Sequence, residues 1–137
     1  MIEKMNYLDN LEKRFNEELA TLGKDTSCPN CRGSVLFWIG ARDKEYFAWP
    51  ADLLDILKRD YQITANPKTG DVAAWHSVSD DSEIPHAGIV SETSNGIFVK
   101  SRLGAEENSP VLDLPTADVL LKLDYKLPTR LVYYTKK

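Results

Sequence analysis

The hydrophobic pattern changes its period once along the chain, and this change constrains the fold more than any other feature. Up to Tyr61 the apolar residues recur every three or four positions, which is typical of one buried face of a helix. Beyond Tyr61 they alternate with polar residues, which is typical of half-buried strands. Helices that precede strands, without regular βαβ alternation, indicate an α+β domain. We therefore predict N-terminal helices packed on a small antiparallel β-sheet.

The first half of the chain predicts three helices. Residues 2–22 carry an amphipathic stripe and are followed by Gly23, a typical helix stop. A polar loop leads to a second helix over residues 31–39. A third helix is predicted to begin at Pro50, because the fixed φ of proline suits the first helical turn, and to end before Tyr61.

The second half predicts strands at residues 71–76, 86–92, 97–101 and 130–135, with a short helix at 116–123. Asn95-Gly96 can adopt the positive φ values of a tight turn, so the second and third of these strands should form an antiparallel hairpin. In that hairpin His86 and Ser101 are expected to lie at the same end.

Length and charge narrow the possible functions. The 137 residues fit one domain over 1–137, with residues 1–23 as an additional N-terminal helix. A net charge of −4 provides no basic surface for a phosphate backbone, so no nucleic acid partner is expected. The first 25 residues mix charged and apolar side chains, and no apolar run approaches 18 residues. We expect no membrane partner and a cytoplasmic location, unless a non-classical route exports the protein.

Cys31 is the first residue of the predicted second helix. Unpaired backbone N–H groups and the positive end of the helix dipole favour a thiolate at this position. A cysteine hydrolase also needs a histidine base and a polar group that orients the imidazole. His86 begins a predicted strand, and Ser101 lies at the facing end of the next one. The order of these residues therefore suits a nucleophilic cysteine site.

Four short blocks extend this pattern. They are Asn-Cys-Arg-Gly at 30–33, Gly-Asp-Val-Ala-Ala-Trp at 70–75, His-Ala-Gly-Ile-Val at 86–90 and Val-Lys-Ser-Arg-Leu-Gly at 99–104. Together, over about residues 27–104, the chain resembles the NlpC-type family of papain-like cysteine peptidases, which are cell-wall endopeptidases and amidases. The pattern of that family runs Asn-Cys-His-Gly or Asp-Cys-Ser-Gly, Gly-Asp-Val/Leu, His-x-Gly-Ile/Val and, in one branch, Ser-Lys-Trp-Gly.

The resemblance implies a papain-like fold and hydrolysis of an amide bond through a thioester, without a cofactor or a metal. The implied substrate is a peptide or a peptidoglycan fragment, with stem peptides as the class. Cys31 matches the nucleophile, and its backbone N–H would form part of the oxyanion hole. His86 matches the general base, and Ser101 falls at the third position, where the family usually has histidine or another polar residue.

Three further residues are predicted to contribute to the substrate-binding side of the site. Arg32 adds a cation beside the thiol, which favours the thiolate. Trp49 lies at the start of the third helix and Tyr46 is close to it in the sequence, so both are candidates for a cleft wall.

Other interpretations of the same residues stay open. Cys28 and Cys31 form a C-x-x-C motif, as in thioredoxin-like oxidoreductases, although a helix and a loop rather than a strand are predicted to precede it. Cys28, Cys31, His76 and His86 are four possible zinc ligands, although the histidine spacing is not that of a zinc finger. An inactive papain-like domain used for binding is a further alternative. His76 is otherwise expected at the edge of a loop.

Overall fold

The computed structural model describes residues 28–105 and 109–137, and the predicted helix at 2–22 lies outside these ranges. The described residues form three helices and six strands. In chain order these are α1 (Cys31–Trp38), α2 (Pro50–Asp60), β1 (Tyr61–Thr64), β2 (Val72–Ser77), β3 (His86–Thr93), β4 (Gly96–Arg102), β5 (Val111–Pro115), α3 (Thr116–Leu123) and β6 (Thr129–Lys136). None of the helices in these two ranges has the length and apolar character needed to cross a lipid bilayer.

The six strands form one sheet in the order β1-β6-β2-β3-β4-β5, and every neighbouring pair is antiparallel. Together with the helices, this sheet confirms the α+β class. Strands β2 and β3 lie near its centre, and Trp75 of β2 pairs directly with His86 of β3. The predicted histidine is therefore held on a central strand.

Both faces of the sheet are covered. Successive side chains of a strand point to opposite faces, so β2 contributes to the core on each side. Val72 and Ala74 of β2 belong to the cluster that contains the apolar residues of α1 and α2. Ala73 and Trp75 belong to a second cluster, which contains Val119 of α3. All six residues of β2 are consequently buried.

Local signals account for the helices. Helix α2 spans Pro50–Asp60 and α3 spans Thr116–Leu123, in agreement with the sequence prediction. Asp52 accepts a hydrogen bond from the backbone N–H of Trp49 at 2.9 Å and so caps the start of α2. Helix α1 ends at Trp38, one residue before the predicted end.

The sequence prediction missed strands β1 and β5, which form the two edges of the sheet. Strand β1 has only four residues and follows α2 without a turn. Strand β5 contains Asp113 and Pro115, and both residue types are depleted in strands. Pro115 is tolerated because a proline that donates no ladder hydrogen bond can occupy an edge strand.

The β3–β4 hairpin forms as predicted, with a different assignment of the turn. Thr93 pairs with Gly96, so Ser94 and Asn95 are the two turn residues. Gly96 has a φ of +116°, whereas Asn95 does not adopt a positive φ. The prediction that Asn95 takes a positive φ is therefore wrong, and glycine alone supplies the left-handed conformation here.

Two leucines test where the core lies. Leu57 of α2 is fully buried, whereas Leu121 of α3 is 77% exposed. We expect Leu57→Ala to lower the free energy of unfolding by about 2–5 kcal/mol, because it leaves a cavity. Leu121→Ala should change it by less than about 0.5 kcal/mol. Urea denaturation measures both, and equal losses would contradict the placement of α2 and α3.

Candidate active site

The helix start that carries Cys31 is fixed by the side chain of Asn30. Its Oδ1 accepts hydrogen bonds from the backbone N–H groups of Gly33 at 2.9 Å and Ala48 at 3.1 Å. Its Nδ2 donates to the carbonyl oxygen of Ala48 at 2.9 Å. Because Asn30 is buried, the loss of any of these bonds would leave a polar group without water to replace its partner. Asn30 therefore caps α1 and also attaches the segment before α2 to it.

Gly33 permits the close approach of that segment. A Cβ atom at position 33 would overlap the backbone carbonyl of Tyr46. Only glycine can therefore occupy position 33, in the first turn of α1, while the chain around Tyr46 lies against it. This contact places the segment 46–49 beside the helix start that carries Cys31.

The two aromatic residues predicted for the cleft wall, Tyr46 and Trp49, both lie on this segment. Tyr46 is 41% exposed, and the Arg42 guanidinium carbon lies 4.0 Å from the centroid of its ring. Trp49 is partly buried and packs edge-on against Phe47, with ring centroids 4.8 Å apart. Both residues thus belong to the segment whose backbone lies against the start of α1.

The sulfur of Cys31 lies against the first residues of β3. The pairing of β3 with β4 begins only at Ile89, three residues beyond the first residue of β3, His86. Before that point the backbone N–H of Ala87 hydrogen-bonds the sulfur. The carbonyl oxygen of Pro85 lies 3.9 Å from Sγ. The thiol therefore lies where the β3–β4 ladder has not yet begun.

His86 is oriented by Ser101. Its Nε2 lies 2.9 Å from the Ser101 Oγ, and both side chains are buried. The imidazole also packs on Trp75, with ring centroids 5.4 Å apart. Because Nε2 is used by Ser101, Nδ1 is the ring nitrogen left to exchange a proton with Cys31.

The ionisation of Cys31 reflects two opposing effects. Burial raises the pKa of the thiol, because it removes water from the charged form. The charge of His86, a side-chain hydrogen bond with His86, the charge of Arg32 and the Ala87 N–H together lower the pKa from 9.0 to about 6. At neutral pH the sulfur is therefore mainly a thiolate, the nucleophilic form of cysteine.

Arg32 lies inside the protein and is 5% exposed. Its Nε donates to the carbonyl oxygen of Ala48 at 3.1 Å, and its Nη1 donates to that of Ile84 at 2.7 Å. The guanidinium thus joins the segment before α2 to the loop that leads into His86. The side chain thus binds backbone carbonyls of its own chain, and a contact of Arg32 with substrate stays a prediction.

His76 is the second-last residue of β2 and lies beside the loop that follows, where the sequence predicts a residue at the edge of a loop. It lies on β2 and is 2% exposed. Its Nδ1 is 2.6 Å from the carbonyl oxygen of Asp81, and its Nε2 is 2.8 Å from the hydroxyl of Tyr134. Both ring nitrogens are therefore engaged within the fold.

Metal and disulfide chemistry were the other options for these side chains. Within residues 28–105 and 109–137, no group of three or more histidine, cysteine, aspartate and glutamate side chains is arranged to hold a metal ion. Cys28 and Cys31 are both free thiols. Cys28 is partly exposed, whereas Cys31 is buried.

Sequence reasoning missed several residues that support the site. Asn30 precedes a predicted helix, and this position is a recognisable N-cap signal. The Ala87 N–H that binds the sulfur gives no sequence signal, because it is a backbone group. Ser34, Glu45 and Arg102 also meet near α1, but they are distant in the sequence and no local pattern joins them.

Comparisons with known proteins returned no family model, no curated protein and no solved structure that matches this chain. What the site can do chemically therefore follows from its own groups. These are a sulfur at a helix start, an imidazole that lowers its pKa, and a hydroxyl bonded to the far nitrogen of that imidazole.

The lowered pKa of Cys31 makes stability depend on pH. Between about pH 6 and about pH 9 Cys31 holds a proton in the unfolded chain but not in the folded one, so the contribution of this group to the free energy of unfolding should rise with pH. This contribution is present above the unfolded pKa and is lost as the pH falls through the folded pKa. Cys31→Ser should lack it.

Urea denaturation between about pH 6 and about pH 9 measures the free energy of unfolding of the wild type and of Cys31→Ser. The free energy of unfolding of the wild type, relative to that of Cys31→Ser, should increase as the pH rises. A difference between the two proteins that does not vary with pH would contradict the assigned pKa.

Proposed function

We propose that this protein is a cysteine hydrolase with a papain-like fold of the NlpC type, and that it cleaves an amide bond through a thioester on Cys31. The observation that carries the proposal is a buried thiol at a helix start, with a histidine that lowers its pKa and that a third polar group orients. A cysteine with only a structural role gains nothing from a neighbouring cation. A nucleophile needs one, because the thiolate is its reactive form.

In the first step the Cys31 thiolate attacks the carbonyl carbon of the substrate amide. Negative charge develops on the carbonyl oxygen, where the backbone N–H of Cys31 can stabilise it, since the first N–H of a helix has no intrahelical acceptor. The His86 imidazolium then gives its Nδ1 proton to the leaving nitrogen. The C–N bond breaks, an amine departs and the acyl group remains on the sulfur as a thioester.

In the second step water hydrolyses the thioester. His86, now neutral, accepts a proton from water at Nδ1, and the oxygen attacks the thioester carbonyl. The C–S bond breaks, a carboxylic acid leaves and Cys31 returns to the thiolate beside the imidazolium. The cycle needs no redox partner, because no atom changes its oxidation state between amide and acid.

Ser101 holds the ring in the orientation that this cycle requires. Its Oγ accepts the Nε2 proton of the imidazole, which leaves Nδ1 directed to the reacting atoms. A hydroxyl orients the ring but carries no charge. Of the two groups bonded to the imidazolium, only the Cys31 thiolate therefore balances its charge.

The proposed substrate class is the peptidoglycan stem peptide. The resemblance of the four sequence blocks supports it. Tyr46 and Trp49 also support it, since they bring aromatic side chains to the segment beside the nucleophile. Aromatic surfaces of this kind are common in sites that bind peptide ligands.

Muropeptides released from purified sacculi by a muramidase test this function. The wild type and Cys28→Ser should convert them to an amine and a carboxylic acid at one amide bond. Cys31→Ser should lose at least about a thousand-fold in rate, because a serine hydroxyl without a dedicated strong base is a weak nucleophile. Mass spectrometry after rapid acid quenching should show the acyl group on the peptide that contains Cys31.

The two cysteine variants also separate hydrolysis from dithiol chemistry. A hydrolase keeps its activity in Cys28→Ser, whereas a dithiol or zinc protein loses its function in both variants. Muropeptides left intact by a wild type whose Cys31 is reactive would overturn the substrate class.

A further inference from the structure

A partly buried ion-pair network joins the helix of the nucleophile to the strand of the orienting serine. Arg102 Nη2 donates to Glu45 Oε1 at 2.7 Å, and Arg102 Nε donates to Ser34 Oγ at 2.8 Å. Ser34 donates in turn to the same Glu45 oxygen at 2.5 Å. The side chain of Arg102 is 16% exposed and that of Glu45 is 24% exposed, so solvent screens this network only in part.

The network is adjacent in sequence to the catalytic groups. Ser34 follows Cys31 by three positions on α1, which puts it one turn further along the helix. Arg102 directly follows Ser101 on β4. The side chains of Ser34 and Arg102 therefore connect the backbone beside the nucleophile to the backbone beside the orienting hydroxyl.

At this point the sheet pairs Ser101 and Arg102 of β4 with β5, but no ladder pair joins them to β3. The pairing of β3 with β4 begins at Ile89 and Lys100, so Ser101 lies just outside the paired residues of that ladder. Arg102 instead binds α1 through Ser34, and its Nη1 donates to the carbonyl oxygen of Ser109 at 2.8 Å. The contact of Arg102 with Ser34 thus links this end of β4 to α1, in addition to the β4–β5 ladder.

We propose that Arg102 is a positioning residue for the proposed hydrolase, and that with Ser34 and Glu45 it sets the distance between the Cys31 sulfur and the His86 imidazole. This inference rests on the proposed function of the same site. Arg102 acts through the placement of α1 and β4 and does not touch the reacting atoms.

Arg102 is not among the groups whose charge lowers the pKa of Cys31. The groups that lower the pKa of Cys31 are His86, Arg32 and the Ala87 N–H. The charge of Arg102 is matched by the Glu45 carboxylate at 2.7 Å. A change in Cys31 reactivity after substitution of Arg102 must therefore come from geometry.

Glu45 stays ionised in this network at neutral pH. Burial raises the pKa of its carboxyl, but the hydrogen bonds from Ser34 and Arg102 and the charge of Arg102 bring it below its ordinary value. The positioning contacts are therefore intact at the pH where the thiolate forms.

The test is the pH at which the rate of Cys31 alkylation by iodoacetamide reaches half its maximum, measured on the full chain. Arg102→Gln should raise this pH by about one unit, because a displaced imidazole stabilises the thiolate less. Arg102→Lys, which keeps the charge and one donor, should lie between Arg102→Gln and the wild type. Arg130→Gln is the control, since it breaks an exposed ion pair with Asp81 on another part of the sheet.

Ser34→Ala provides a second variant if Arg102→Gln does not fold, since it removes one oxygen from the network and leaves the ion pair in place. It should shift the half-maximal pH in the same direction. Unchanged profiles in the folded variants, with a lowered value in the wild type, would overturn the positioning role alone. A wild-type value near that of a free thiol would instead overturn the proposed function.

Discussion

The charge on the Cys31 sulfur is the interaction on which the rest of the site depends. Burial at the start of α1 removes the water that would otherwise stabilise a thiolate, and by itself it would keep the thiol neutral. The neighbouring cations His86 and Arg32 and the N–H of Ala87 reverse that preference. A helix start supplies only a partial charge, so a thiolate at Cys31 also needs the charges of His86 and Arg32.

The surrounding structure holds those groups in place. One backbone carbonyl, that of Ala48, accepts hydrogen bonds from both Asn30 and Arg32, which are the residues on either side of Cys31. Arg32 also binds the carbonyl of Ile84, two residues before His86. The segments that contain Ala48 and Ile84 are thereby attached to the start of α1. The arginine whose charge favours the thiolate therefore also holds the segment that leads into His86.

Sequence reasoning succeeded where the signals are local. Pro50 marks the start of α2, and alternation around a turn predicted the hairpin that brings Ser101 to His86. It failed for the edge strands, whose formation depends on pairing with distant partners more than on their own residues. It also could not find the contact of Arg102 with Glu45, which joins positions 57 apart in the chain. Cys31 and His86 were candidates from the sequence, but the groups that position them emerge only from the fold.

The most direct measurement is the rate of iodoacetamide labelling of Cys31 against pH, followed by peptide mass, in the wild type and in His86→Ala. The account predicts an inflection near pH 6 in the wild type, since labelling follows the thiolate fraction. In His86→Ala the inflection should move upward by more than about one unit, because burial persists while the main compensating charge is lost. The same inflection in both proteins, at the value of an ordinary thiol, would contradict the thiolate–imidazolium pair and with it the proposed hydrolase.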